Sequence, residues 1–311
     1  MCTQENTKME TIPYFDAHCD TITKFRPLRK NSCQVDLERL SGHRPSAQIF
    51  SVWAPDFLAN GWYTMPVLKH LRRELKRNED LVCLCVSAQE ARQAAEAGRV
   101  AAFLSVEGAE LLDCSAARLH AAYDLGVRMV NITWNRDNVL AGAAMDGEGG
   151  LTPRGRAFVR GCQQLGIAVD VSHLSDTGFW DVMRVAERPV LASHSNARAL
   201  CGHKRNLTDA QFRAIIHNGG VAGINLYPEF LGRGRDVEAA ADHMEYFLSL
   251  GGRKNICLGC DFDGVDELPA GIRGVQDVDL LYTVMRSRGW SPAILEDIFY
   301  NNLLRFLEEA L

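Results

Sequence analysis

The sequence carries no basic stripe and no arginine-rich run. Its 34 Lys and Arg residues are outnumbered by 39 Asp and Glu, for a formal net charge of −5. That balance argues against nucleic acid as a partner. No apolar run approaches the ~20 residues that a membrane span needs. The polar opening, residues 1–11, lacks the apolar h-region of a signal peptide. The C-terminal stretch is amphipathic and has no hydrophobic tail that a lipid anchor could replace. No G-x-G-x-x-G follows the first strand-like run, which weighs against a dinucleotide-binding fold. Ten cysteines are present, but without the spacing of a secreted disulfide framework; most lie in apolar runs, as Cys83 and Cys85 do. Buried free thiols in a reducing compartment fit this usage, and a soluble cytoplasmic protein is the expectation. Cys257 and Cys260 have the spacing of a redox or zinc pair. No second pair follows, and three residues apart in a strand they face opposite ways, so packing is their expected role.

What is present is a rhythm. The chain of 311 residues is 47% hydrophobic and can bury a sizeable core. Apolar runs at 14–20, 48–54, 81–86, 100–108, 127–134, 167–173, 189–194, 220–226 and 255–262 read as strands or strand-like connections. Helical patterns stand between them. Ser87 with Glu90 forms a capping box that opens one helix, and Thr152-Pro153 gives an N-cap with proline in the first turn of another. A helix over 66–78 has a strongly basic face, expected to be solvated, and a last helix is predicted over 291–311. Strands alternating with helices of ten to fifteen residues mean parallel βαβ units. Near-continuous apolar strands are what a sheet covered on both faces requires. About eight units with no linker between halves predict a single (β/α)8 barrel, a TIM barrel, over residues 1–311.

The polar residues fall at strand ends. Alternation puts His18 and Asp20 on one face, with Cys19 opposite. Such a pair either holds a cation or satisfies itself. Glu107 ends the run from Val100, His173 and His194 end two later runs, and Asp261 follows the last. In a barrel these ends meet at the catalytic face. Three imidazoles and several carboxylates suit a pair of divalent ions, because imidazole suits zinc and a carboxylate can bridge.

These stretches resemble the membrane dipeptidase (renal dipeptidase) family of zinc metallopeptidases, peptidase family M19. The resemblance is carried by Asp16-Ala17-His18-Cys19-Asp20, Ser105-Val106-Glu107-Gly108, Asp170-Val171-Ser172-His173, Ala192-Ser193-His194-Ser195-Asn196, Lys204-Arg205-Asn206, Gly259-Cys260-Asp261-Phe262-Asp263-Gly264 and Asn302-Leu303-Leu304-Arg305. It implies that His18 and Asp20 hold one zinc ion, that His173 and His194 hold the other, and that Glu107 bridges them with a water or hydroxide. It further implies that Arg205 takes the substrate's C-terminal carboxylate and that Asp261 sits beside the water and the substrate amine. Tyr227 resembles the family's aromatic side wall, with packing as its other reading. The implied enzyme is a binuclear zinc dipeptidase, a homodimer acting on dipeptides that include those with a C-terminal D-residue.

One position departs from the family. Where animal members carry an oxyanion-stabilising histidine, this chain has Trp134, a donor that is never a cation. Asn135 and Arg136 are the other candidates there. Two alternatives follow: a related metal-dependent amidohydrolase acting on a lactam or N-acyl amino acid, or a peptide-binding barrel with weakened activity. Asp16 is expected to share the face of His18, as a partner of the site or as a buried, paired carboxylate. Asp263 competes with Asp261 for the proton-shuttling role, and His203 and His217 are expected at the surface.

Overall fold

The computed structural model describes residues 11–311; most of the polar N-terminal stretch, residues 1–10, lies outside the described residues. Nine parallel strands form one sheet: β1 (Tyr14–Cys19), β2 (Ser46–Val52), β3 (Val82–Leu84), β4 (Val100–Val106), β5 (Val127–Asn131), β6 (Ala168–Asp170), β7 (Leu191–Ala192), β8 (Val221–Ile224) and β9 (Ile256–Leu258). Eight of them close into a TIM barrel. β2 pairs with β4, β4 through β9 pair in succession, and β9 returns to β1. The apolar run at 81–86 is a strand but not a stave. β3 pairs only with the first half of β4, and β5 takes up that same edge from Leu104 onward.

The expected caps are in place. The Thr152 side chain accepts from the Gly155 N–H, Pro153 sits in the first turn, and Gly166 at φ 75° ends the helix Pro153–Leu165. Ser87 accepts from the Glu90 N–H, while the Glu90 carboxylate reaches back to the Val86 N–H. The closing helical stretch is not uniform. A π turn, Asp297–Asn301, separates helix Pro292–Glu296 from helix Asn302–Ala310. This wider turn accompanies the burial of Phe299 against Tyr282 and of Tyr300 against Phe15, in two different cores.

Two cores result. Phe15, Phe103, Met129, Leu191, Val221 and Cys257, from six staves, fill the barrel floor and are sealed by Leu303, Phe306 and Leu307 of the last helix. A second core lies between staves and helices and includes Phe50, Leu104, Phe179, Phe212 and Phe247. The barrel is therefore packed below and open only at the mouth formed by the C-terminal strand ends, where TIM-barrel sites are built. The nine described cysteines are all free, Cys257 and Cys260 among them.

Several strands end earlier than their apolar runs. Ladder pairing stops at Asn131, Asp170, Ala192 and Leu258, and the chain then turns across the mouth. His173 (φ 72°) and Asp261 (φ 62°) adopt the left-handed conformation there, which costs a non-glycine residue about 1–3 kcal/mol and concentrates at functional sites.

Candidate metal centre

The β1 tip is set by a bulge. Asp16 pairs with Gln48 and Cys19 with Phe50, so three steps along β1 match two along β2. Asp16 and Cys19 therefore share a face, and His18 lies on the other. This corrects the expectation that Asp16 and His18 point the same way; simple alternation fails at the inserted residue. His18 and Asp20 do converge, with His18 Nε2 3.7 Å from Asp20 Oδ1.

Around them the other strand tips close in. Glu107 Oε1 lies 3.6 Å from His18 Nε2, 2.9 Å from His173 Nε2 and 3.5 Å from His194 Nε2. The two last nitrogens are 2.9 Å apart. Asp261 Oδ1 is 4.0 Å from His18 Nε2 on the opposite side. All six residues are buried. His18, Glu107 and His194 form one set of mutually close donors, and His18, Asp20 and Asp261 form another.

The outer atoms of these side chains are held. His173 Nδ1 is 2.9 Å from Asn135 Oδ1, and His194 Nδ1 is 2.7 Å from Ser193 Oγ. Asn225 Nδ2 donates to Asp261 Oδ2 at 2.9 Å. The inner atoms are not satisfied: His18 Nε2 and Asp20 Oδ1 are buried with no hydrogen-bond partner among the described residues. Leaving such groups unpaired is costly. Imidazole nitrogens and carboxylate oxygens converging on one another are the donor set of a divalent cation site. The electrostatics agree. Burial opposes charge on His18, but Glu107, Asp20 and Asp261 outweigh it and push its pKa up to about 10. Burial holds His173 and His194 neutral, helped by Arg205 and His18. Burial also raises Glu107 and Asp261. These residues fit a bound metal centre.

A cavity of about 450 Å³ opens over the cluster, and Asp20, Glu107, His173 and Asp261 form its floor. Arg205 enters it from the loop after His194. Only 5% of Arg205 is exposed, and its Nε and Nη1 have no hydrogen-bond partner among the described residues. Its Cζ lies 5.6 Å over the Phe230 ring. The loop is pinned by Asn196 and Asn206, whose amides reach the Phe230 carbonyl. Tyr227 also lines the cavity and packs edge-on against Phe230, 5.0 Å between centroids. Trp134 lines the far wall, 6.4 Å from the His173 ring, with its backbone N–H held by Glu110.

Some residues were not anticipated from the sequence. Trp53 meets Trp134 edge to face at 5.2 Å; its place at the C-terminal end of a strand was the available signal. His203, expected at the surface, lines the cavity and accepts from the Arg205 N–H. His217 is exposed, as expected. Asp263 accepts from Thr21 Oγ1 and from the Gln34 N–H, which ties two loops together. That leaves Asp261, rather than Asp263, facing the cluster. Asn225 and Ser193 were not singled out by the sequence, because an amide or hydroxyl beside a ligand is defined only by contact; Asn135, a candidate beside Trp134, stands against His173 Nδ1.

Fold and site together define a metal-dependent hydrolase on a TIM barrel. A family model, Membrane dipeptidase (Peptidase family M19), matches residues 3–311. The chain belongs to that family and is a peptide hydrolase of the metallo-dipeptidase kind. It is 33% identical over 264 residues to an uncharacterized protein in pqqA 5′ region of Klebsiella pneumoniae, covering 80% of this chain and 95% of that one. It is 35% identical over 221 residues to dipeptidase aclJ of Aspergillus oryzae, covering 68% of this chain and 52% of that one. The chain thus spans about half the length of that fungal relative. Among solved structures, a metallo peptidase of Rhodobacter sphaeroides, liganded with a phosphinate mimic of the dipeptide L-Ala-D-Ala, superposes with TM-score 0.87 at 28% identity. That match covers 97% of this chain and 100% of the other. No described helix is long and apolar enough to cross a membrane.

Proposed function

We propose that this protein is a binuclear zinc dipeptidase that cleaves the single peptide bond of dipeptides, including those ending in a D-residue. The observation that carries the reading is the convergence of His18, Asp20, Glu107, His173 and His194 with unpartnered buried atoms, in one cavity with the unpaired Arg205. His18 and Asp20 would hold one ion and His173 and His194 the other, with Glu107 Oε1 within reach of all three imidazoles. When bound, the ions supply Lewis acidity and lower the pKa of water. The ligand of the Rhodobacter sphaeroides relative supports a dipeptide with a C-terminal D-residue. The free cysteines support a reducing, cytoplasmic setting.

The chain's own residues account for recognition. Arg205 offers its guanidinium to the substrate's terminal carboxylate, and the planar fork matches that group in two prongs. A buried guanidinium whose Nε and Nη1 have no hydrogen-bond partner among the described residues gains most from such a partner. Asp261 accepts the proton that water loses on attacking the carbonyl carbon. It returns that proton to the amine nitrogen as the C–N bond breaks. Asn225 occupies Asp261 Oδ2, which leaves Oδ1 for this traffic. β7 and β8 carry Arg205 and Tyr227 on the loops that follow them, while β2 and β5 carry Trp53 and Trp134 across the barrel. The C-terminal residue therefore lies toward Phe230, and the N-terminal side chain meets the tryptophan wall.

The test pairs zinc content per chain with turnover of a panel of L-Xaa-L-Xaa and L-Xaa-D-Xaa dipeptides. Zinc-dependent cleavage is expected. Zinc-loaded protein that cleaves no dipeptide, but opens a lactam or an N-acyl amino acid, overturns the assignment.

A further inference from the structure

We infer that Asp16 and Asp170 are positioning residues that staple neighbouring strand tips and so preform the two halves of the metal centre. The two carboxylates make the same pattern of bonds at separate seams of the barrel. Asp16 pairs in register with Leu258 and accepts, on Oδ1, the N–H of His18 at 3.1 Å and of Cys260 at 3.0 Å. Asp170 pairs in register with Leu191 and accepts, on Oδ1, the N–H of Ser172 at 2.9 Å and of Ser193 at 3.1 Å. In each case one oxygen takes the amide two residues further along its own strand and two residues beyond its partner on the neighbouring strand.

The amides they hold are those of the ligand-bearing tips. Asp16 joins His18 to the residue before Asp261. Asp170 joins the residue before His173 to the residue before His194, and Ser193 in turn sets the His194 ring through Oγ. The seams are also the thinnest in the barrel: β1–β9 and β6–β7 each have one register pair within the strands. Every other stave-to-stave seam has at least two. Where the ladder gives out, a buried carboxylate supplies the missing acceptors. Both are buried, with Tyr14 donating to Asp16 Oδ2. Groups that orient metal ligands from behind typically change metal affinity about 10–100-fold when removed.

The inference rests on reading these tips as a metal centre, and zinc binding by the unaltered chain tests that reading separately. The experiment measures zinc affinity by chelator competition, and thermal unfolding of the metal-free protein, for Asp16→Ala and Asp170→Ala. Asn302→Ala serves as control, since that buried amide bonds Arg253 and Ile256 far from the mouth. Affinity is expected to fall about 10–100-fold in both aspartate variants and to stay unchanged in the control. Asp170→Asn, which keeps the Oδ1 acceptor, is expected to recover most of the loss. Unchanged affinity in the folded alanine variants overturns the proposal, as does an equal loss in the control. Hydrogen exchange on the unaltered metal-free chain covers the case of variants that do not fold. The amides of His18, Cys260, Ser172 and Ser193 are expected to exchange slowly there, and rapid exchange at these four positions defeats the staple.

Discussion

His173 Nε2 and His194 Nε2 stand 2.9 Å apart, and both lie within 3.5 Å of Glu107 Oε1. Asn135 Oδ1 can only accept, so the proton of the neutral His173 ring lies on Nδ1. Burial keeps both rings neutral. A neutral His173 ring so oriented turns its Nε2 lone pair toward His194 and Glu107, a place that suits a cation. Replacing His194 with Ala is expected to lose one of the paired zinc ions and lower kcat/KM by about 10²–10³-fold or more, the scale of losing one electrostatic contributor to the transition state. Zinc content per chain and dipeptide kinetics check this; full zinc content with unimpaired turnover refutes it.

Arg205 is a cation waiting for an anion. Arg205→Ala removes a charge-assisted pair worth about 1.5–3 kcal/mol, so kcat/KM for a dipeptide is expected to fall about 10–100-fold, mainly through KM. The amidated form of the same dipeptide lacks the carboxylate and should be a poor substrate for the unaltered enzyme, with little further loss in the variant. An equal penalty on both forms would show that Arg205 acts otherwise.

Trp53 and Trp134 make the wall across from Arg205. Shortening either to Ala removes apolar contact with the N-terminal side chain. Pocket contacts of this kind are worth about 1–3 kcal/mol of discrimination. The ratio of kcat/KM for Phe- over Ala-initiated dipeptides is expected to drop about 10-fold or more. A ratio that does not move places the N-terminal side chain elsewhere.

His243 gives a pH-dependent term in stability. It is wholly buried, accepts from the Ala197 N–H at Nδ1 and faces the Leu231 carbonyl with Nε2. Burial lowers its pKa, against the opposing pull of Leu231 and Asp242. The unfolded chain therefore takes up the proton first as acid is added. The stabilisation is complete above the unfolded value of about 6.5 and fades as pH falls toward the depressed folded value. Unfolding of the unaltered protein and of His243→Gln, compared from pH 8 to 5, should show a difference that shrinks with acid. A difference that widens would contradict the assignment.

Gly223 allows β7, β8 and β9 to approach closely. A Cβ there would stand 1.9 Å from the Ser193 carbonyl, beside His194. Gly223→Ala is expected to lower the unfolding midpoint and the zinc affinity together, measured by calorimetry and chelator competition. A variant with unchanged values would show that this seam is free to open.

The barrel was legible because its signals are local. Apolar runs, the Thr152 and Ser87 caps, and the alternation of strand with helix state the fold through periods and end chemistry, which need no distant partner. The candidate site was legible because His18, Glu107, His173, His194 and Asp261 close apolar runs, with Asp20 two residues past His18, and the barrel's symmetry gathers all such ends at one mouth. Other features belong to tertiary structure alone. The bulge that turns Asp16 away from His18 exists only in the pairing with β2. The left-handed turns at His173 and Asp261, the partnerless Arg205, the Trp53–Trp134 wall and the carboxylate staples are relations between segments far apart in the chain. The linear order of residues decided which groups reach the mouth. Packing decided which of their atoms are left without a partner, because a lone pair is satisfied or orphaned only by what stands within about 3 Å of it.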